Sequence, residues 1–253
     1  MPQRATPRQI NTSQNSPTLS AGPWSGAETP LHRRLHGQQS ALAAAADCLK
    51  GYFASWIESG ELRQTQDALI VFDMRPVGGD FALFRDLAEH NRDRLKDAGF
   101  FKSILAFITN DQRPPLGFFR TFVFDRTGEH KEQLDLKTLG TGPIVNAARL
   151  FALDAGSELT NTIDRLAAAQ SLTDEECTLF KEVRETFEFL TLLRLENQLR
   201  QARAGEPLSN FIAPKNLSHL QRNMLKEAFH TITRLQSVID RRFRTAVWSQ
   251  LGQ

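Results

Sequence analysis

The sequence predicts a mainly α protein, a helical bundle with a small two- or three-stranded β-sheet near its N-terminal side. Two observations predict the bundle. After residue 142, apolar residues recur at three- and four-residue steps, which is the period of an amphipathic helix. Helix start and stop signals interrupt this pattern at intervals typical of helices. A third observation predicts the sheet: short β-branched and aromatic stretches bounded by Pro or Gly occur before residue 142.

The composition bounds the possible classes of protein. A chain of 253 residues, 40% hydrophobic and 24% charged, can form one domain, or a domain with a tail. Cys48 and Cys177 are too few for a disulfide framework, which favours a reducing cytoplasm. No apolar run approaches the roughly 20 residues that a membrane span needs. For that reason we expect no membrane partner. Residues 1–36 carry a charge of +3 and the remainder −1, so the nearly neutral domain lacks the basic surface of a nucleic-acid binder, and we expect no nucleic-acid partner.

The chain divides into a tail and a domain. Residues 1–36 are rich in Ser, Thr, Pro, Gln and Gly and have no apolar period, so we expect them to be disordered. Residues 37–250 should form the helical domain. Its first helical pattern starts at Ser40 and ends at Gly60.

The next segment alternates between strand and helix signals. Residues 68–76 read as a buried strand that leaves through a Pro-Val-Gly-Gly turn. Phe81–Leu95 and Phe100–Ile108 have helical periods. Leu116–Phe124 and Gln133–Lys137 read as two further strands, and a turn at residues 125–128 would join them as a hairpin.

The remaining segment is predicted to be helical throughout. One helix starts at Gly142-Pro143 and ends at Gly156. Capping boxes at Thr173–Glu176 and Ser218–Gln221 start two long amphipathic helices, and Gly205 ends the first of them. We expect these two helices to lie antiparallel and to pack on the shorter ones.

Five sequence segments occur in an order that carries a family resemblance. They are FDMRPVGGD at 72–80, LDLK at 134–137 followed by PIVNAARLFAL at 143–153, TNTIDRL at 160–166, FEFLTLLRLENQ at 187–198, and 217–243 with LKEAF and LQ. Together they resemble the nucleotidyltransferase substrate-binding domain family, over roughly residues 45–245. Relatives commonly have His-Gln where this chain has Asn197-Gln198.

The resemblance implies a position next to an enzyme. In that family the domain follows a PII-uridylyltransferase-like catalytic domain, and cyclic-nucleotide-binding and CBS domains often lie further upstream, which implies signal transduction. Nucleotidyl transfer in the superfamily uses a Gly-Ser turn and an Asp-x-Asp pair that binds Mg²⁺. This sequence has no Asp-x-Asp, and its only Gly-Ser, Gly156-Ser157, lies at a predicted helix end.

We therefore predict no catalytic residue, no metal site and no cofactor in this chain, and expect Mg²⁺ and a nucleoside triphosphate only with a catalytic partner domain. The hypothesis is a separated or truncated second half of an enzyme. Its expected partners are a catalytic nucleotidyltransferase domain in trans or a small signalling protein that accepts the nucleotide.

Candidate substrate-binding residues come first from the predicted strands. Asp73 and Arg75 alternate and should share a strand face. They could present one charged pair to a nucleotide or to the catalytic domain, or form a structural ion pair at a sheet edge. Asp80 is expected to cap the next helix. Lys137 shares a face with Asp135 and could contact a phosphate, or form an ion pair with Asp73 or Asp135.

The helices supply the other candidates. Arg149 and Arg165 could line an anion pocket, or form surface ion pairs. Arg194 and Gln198 lie on one side of the long helix with Gln201. Lys226 and Gln236 could face them across a groove and bind, with them, a phosphate or the acidic loop of a partner protein. The alternative is a solvated helix face.

Three functional hypotheses follow. The first is an accessory domain that positions an acceptor or part of the nucleotide against a catalytic domain on another chain. The second is a non-catalytic helical protein-interaction or regulatory module. The third, an independent metal-dependent transferase, would need a metal site built from Asp73, Asp80 and Asp135.

Overall fold

The first helix begins earlier than the sequence predicts. The computed structural model describes residues 30–60, 65, 72–117, 121–124, 130–169 and 172–249. Helix α1 runs from Pro30 to Ser59, so residues 30–36, assigned above to the disordered tail, are helical. Proline suits a first helical turn, and the Leu, Arg and Gln residues that follow are good helix formers. Residues 1–29 lie outside the described part.

The chain divides into two compact units, residues 1–42 and 43–253, each defined by contacts among its own residues. Of the first unit, only the initial turns of α1 belong to the described residues. All of the elements below belong to the second unit.

Helices α2, Phe81–Lys96, and α3, Gly99–Thr109, confirm the two predicted helical periods. The carboxylate of Asp80 accepts a hydrogen bond of 2.9 Å from the backbone N–H of Ala82, which confirms the predicted N-cap.

The described part of the first predicted strand is not a strand. Phe72 and Asp73 form a turn, and residues 74–77 have no regular structure; residues 68–71 lie outside the described part. The apolar signal there comes from packing, because the ring of Phe72 lies 5.0 Å from that of Phe53 and 6.0 Å from that of Phe101.

The sheet is small, as predicted, but its pairing differs from the prediction. Strand β1, Leu134–Asp135, pairs antiparallel with β2, Phe211–Ile212, and Leu134 lies opposite Ile212. Of the predicted strand Leu116–Phe124, the described residues, 116–117 and 121–124, form one bridge, between Leu116 and Phe122. The predicted hairpin is therefore wrong, and its proposed turn at 125–128 lies outside the described residues.

A π-helical turn, Lys137–Thr141, leads directly into helix α4, Gly142–Asp154. This turn replaces the end of the predicted third strand. Pro143 lies in the first turn of α4, and Gly156 follows its end with a φ of +63°, as predicted for a glycine stop signal. Helix α5, Thr162–Ala167, starts at the cap residue Asn161.

The two long helices are α6, Asp174–Ala204, and α7, His219–Phe243. Both predicted capping boxes are formed, at Thr173 and Ser218, and Gly205 ends α6 in the left-handed conformation. A 3-10 turn, Pro214–Asn216, precedes α7, and the short helix α8, Ala246–Ser249, follows it.

Ion pairs between α6 and α7 confirm their antiparallel arrangement. Glu182 pairs with Arg234, whereas Glu176, about one and two-thirds turns earlier, pairs with Arg241 further along α7. These helices, with α3, α4, β1 and the π-helical turn, enclose one apolar core. Its largest fully buried side chains include Phe101, Phe151, Phe229, Leu105, Ile144, Leu150 and Leu190.

The fold is thus a helical bundle with a two-stranded sheet. Within the part of the chain that the structure describes, each helix is too short or too polar to span a bilayer.

Candidate functional site

Three of the predicted site residues form one ion cluster, Asp73 with Arg149 and Arg165. Arg149 donates from Nε to Oδ2 of Asp73 at 2.5 Å, and Arg165 donates from Nη2 to Oδ1. The side chain of Arg165 is 7% exposed, whereas those of Asp73 and Arg149 are 23% and 24% exposed. The cluster therefore lies partly below the surface, where charges are less screened than in open solvent.

Hydrogen bonds to nearby residues hold each arginine side chain in its orientation. Arg149 lies on α4 and also donates from Nη1 to Oδ1 of Asn146, one turn earlier, at 3.2 Å. Arg165 lies on α5 and donates from Nε to the carbonyl oxygen of Leu159 at 2.6 Å. The short helix α5 is itself set by Asn161, whose side chain accepts from the backbone N–H groups of Ile163 and Asp164.

The cluster has an excess of positive charge. Two guanidinium groups share one carboxylate, which leaves a net charge of +1. Nη2 of Arg149 and Nη1 of Arg165 donate to no group among the described residues. An anion with oxygen acceptors could therefore be bound there without displacing Asp73.

An apolar cavity of about 110 Å³ lies beside the cluster. Arg165 lines both this cavity and a smaller void of about 20 Å³ that Asp73 and Arg149 also line. The cavity is enclosed by α1, α2, the turn at Phe72 and the segment after α4. Its apolar lining includes Phe53, Phe72, Met74, Phe84, Leu87, Leu95, Leu153 and Leu159.

Asn91, on α2, also lines this cavity and is not among the site residues predicted from the sequence. Asn91 is 7% exposed, and its Oδ1 has no hydrogen-bond partner among the described residues. Its position on the buried face with Leu87 and Leu95, at four-residue steps, was the available signal.

Arg75 does not join the cluster. It is exposed, and no ion pair or hydrogen bond links it to Asp73 among the described residues. The predicted shared strand face does not exist, because the backbone turns at Asp73.

Three further candidates, Lys137, Arg194 and Gln198, lie around the π-helical turn. Arg194 donates from Nη1 to Oγ1 of Thr141 at 3.3 Å, and Gln198 donates to the side chain of Asn210 at 3.4 Å. Lys137 is exposed at the start of the turn. These residues form a second, more open group.

The alternative ion pair of Lys137 with Asp73 or Asp135 is not formed within the described residues. Asp73 pairs instead with the two arginines. The carboxylate of Asp135 accepts from the backbone N–H groups of Lys137 and Thr138, at 2.8 and 3.1 Å. Asp135 thus caps the π-helical turn instead of neutralising the lysine.

The predicted groove lined by Gln236 is also wrong. Gln236 is 1% exposed and donates from Nε2 to the carbonyl oxygen of Gln112 at 2.8 Å, so it belongs to the core. Gln201 is bonded to Ser209, and the ammonium of Lys226 lies 5.7 Å from the centre of the Phe122 ring.

The acids required by the metal-dependent hypothesis have other partners. Asp80 caps α2, Asp135 caps the π-helical turn, and Asp73 binds two arginines. Among the described residues, no three His, Cys, Asp or Glu side chains are grouped as metal ligands would be.

Comparison with known proteins assigns the domain to a family. Residues 98–243, more than half of the chain, match the model of a family described as "Putative nucleotidyltransferase substrate binding domain". The match includes Lys137, Arg149, Arg165, Arg194 and Gln198. Neither a curated protein nor a solved structure matches the chain.

Proposed function

Because the chain belongs to the family of nucleotidyltransferase substrate-binding domains, we propose that it holds a phosphate-bearing substrate for nucleotidyl transfer by a catalytic domain on another polypeptide. The catalytic domain would supply the Gly-Ser turn and the paired acids that bind Mg²⁺. This chain would supply positive charge and shape.

The observation that carries this proposal is the sharing of Asp73 by two arginines beside a cavity. A partly buried guanidinium pair with one counter-charge favours a substrate that brings further negative charge. The fork geometry of guanidinium suits phosphate oxygens. Arg149, the more exposed of the two, is the better placed to reach a ligand that enters from solvent.

The second group, Lys137, Arg194 and Gln198, could also bind a partner of the chain. Lys137 and Arg194 add positive charge near the π-helical turn, and π-helical turns are frequent at functional sites. We assign to them contact with the catalytic domain or with the acceptor, which the family resemblance implies is a small signalling protein. A cytoplasmic, PII-uridylyltransferase-like enzyme in signal transduction is the setting that this proposal expects.

Calorimetric titration with inorganic tripolyphosphate and with ATP and UTP tests the anion site. Arg149→Gln reduces the cluster charge from +1 to zero, so we expect binding of all three to weaken about tenfold or more. Arg203→Gln, an exposed arginine on α6, is the matched control and should bind as the wild type does. Equal affinities of Arg149→Gln and wild type would refute the role of the cluster.

Arg75→Ala and Lys137→Ala test contact with the catalytic half. Both side chains are exposed, so neither change should affect folding. We expect each to weaken binding of nucleotide or of a catalytic nucleotidyltransferase domain in a pull-down titration.

A specific observation also favours the second candidate, a protein-interaction module. Leu192, Leu195 and Leu199 of α6 are 59%, 49% and 48% exposed and follow one another at helical steps. They form an apolar stripe of the kind that marks protein contacts. If Leu195→Ser abolishes capture of a protein partner while nucleotides fail to bind the wild-type chain, the regulatory module is the correct function.

A further inference from the structure

We propose that the cavity beside the arginine pair holds a nucleobase, with Asn91 as the residue that hydrogen-bonds to its edge. This inference rests on the proposed function, since it names the part of the substrate that the cavity takes. It goes further because it assigns a site to α1 and α2, outside the segment that matches the family.

The walls of the cavity suit a flat aromatic ring. Phe53, Phe72 and Phe84 line it, together with Met74 and aliphatic side chains. Every base has two apolar π-faces, and stacking on aromatic side chains is a usual mode of base binding. A hydrophilic ligand without apolar faces would gain little binding free energy from this lining.

Asn91 supplies a buried polar group whose acceptor has no partner among the described residues. This acceptor, Oδ1, costs free energy unless a ligand or water donates to it. A carboxamide presents one acceptor beside one donor, and this pattern matches adjacent donor and acceptor positions on the edge of a base.

The size of the cavity argues against a single trapped water. One water needs roughly 10–15 Å³ of such volume, and the cavity measures about 110 Å³. The space is therefore several times larger than one water requires. A ring system could fill it and pack against its apolar lining.

The arginine cluster sets the direction of the ligand. Arg165 lines the cavity and also binds Asp73, which in turn binds Arg149. With its base against Asn91, a nucleotide would direct its phosphates toward Arg165 and Arg149. Arg92 and Glu158 also line the cavity, and they form an ion pair with each other.

The test uses the full chain and five probes: ATP, UTP, adenosine, uridine and inorganic tripolyphosphate. Saturation-transfer NMR and calorimetry measure their binding to wild type, Asn91→Leu and Asn223→Leu. Asn223 is an exposed asparagine on α7 and serves as the matched control. We expect at least one nucleoside to bind although it carries no phosphate. Asn91→Leu should weaken the binding of that nucleoside, and of the triphosphate with the same base, about tenfold.

A second variant keeps the test decisive if Asn91→Leu does not fold. Ala88→Leu places a larger apolar side chain into the same cavity from the same helix. We expect thermal unfolding to show a folded protein that has lost nucleoside binding and retains tripolyphosphate binding.

The outcomes separate the two proposals. If tripolyphosphate binds through Arg149 but no nucleoside binds, or Asn91→Leu and Ala88→Leu leave nucleoside binding unchanged, the base site is wrong and the anion site stands. If nucleosides bind through Asn91 while Arg149→Gln leaves tripolyphosphate unaffected, the base site stands and the anion site is wrong.

Discussion

Asp73 and Arg165 form an ion pair across 92 residues of sequence, and the arginine side chain is 7% exposed. The pair joins the turn before α2 to α5, a contact that holds two distant segments at the candidate site. Asp73 therefore has two effects of opposite sign: it stabilises the fold, and it neutralises part of the charge available to a ligand.

Asp73→Asn separates these effects. Loss of the carboxylate leaves two partly buried guanidinium groups without a counter-charge, so we expect the free energy of unfolding to fall by about 2 kcal/mol. The cluster charge rises from +1 to +2, so tripolyphosphate should bind several-fold more tightly. Urea unfolding and calorimetry measure the two quantities, and Asp97→Asn, an exposed acid, is the control. Weaker anion binding by Asp73→Asn would contradict the account of the cluster.

Asp154 should make stability depend on pH. Burial alone would raise the pKa of Asp154, but hydrogen bonds from Lys102 at 3.0 Å and Arg242 at 2.9 Å outweigh it and hold that pKa below the ordinary 3.8. A carboxylate whose pKa is lowered by folding stabilises the folded state above the unfolded pKa. That stability is lost as the pH falls through the folded pKa.

Asp154→Asn tests this dependence. At pH 7 we expect the variant to be about 2 kcal/mol less stable than wild type, because two charge-assisted hydrogen bonds are weakened. Below pH 3.8 the difference should shrink. Urea unfolding at stepped pH values measures it, with the exposed Asp111→Asn as control. A difference that stays constant down to pH 3 would show that the charge of Asp154 does not matter.

The capping box at Thr173 should stabilise α6. Its hydroxyl accepts from the backbone N–H of Glu176 at 3.3 Å, and the Glu176 carboxylate accepts from the backbone N–H of Thr173 at 3.0 Å. We expect Thr173→Ala to lower the midpoint of thermal unfolding, at a cost of about 1 kcal/mol. Thr178→Ala, at an exposed position inside the same helix, removes a methyl group and a hydroxyl that donates to the carbonyl of Asp174, and it should be neutral or stabilising.

Gly142 should tolerate no side chain. A Cβ there would lie 2.8 Å from the carbonyl oxygen of Lys137, so the π-helical turn would have to shift. We expect Gly142→Ala to destabilise the protein by about 1–3 kcal/mol. Gly51→Ala, inside α1 with nothing within 4 Å of the added carbon, should instead stabilise it by up to about 1 kcal/mol. Circular dichroism during thermal unfolding distinguishes the two signs.

The helices could be predicted because their signals are local. Thr173, Ser218, Gly156 and Gly205 each act on backbone groups within a few residues, and each lies at the expected helix end. The sheet could not, because β2 has two residues, too few to show a period of two. Its pairing with β1 depends on contacts distant in sequence.

The candidate site could be predicted only in part, because its contacts, like those of the sheet, join segments distant in sequence. The sequence predicts that Arg149 and Arg165 could line an anion pocket and pairs Asp73 with Arg75, whereas the structure brings Asp73 together with the two arginines. The four-residue spacing of Asn91 with Leu87 and Leu95 predicts that it is buried, but this spacing does not show whether its amide meets a protein partner or a cavity. Arg75 was placed beside Asp73 by strand alternation, which the turn at Asp73 removes.

The pairing of Leu134 with Ile212 has a consequence for synthesis on the ribosome. Strand β1 leaves the exit tunnel long before its partner exists, and α4, α5 and α6 must all be made in between. Until residue 212 emerges, the edge of β1 and the π-helical turn after it have no strand to pair with. We therefore expect the surface around Lys137 to be completed late, after most of the bundle has been translated.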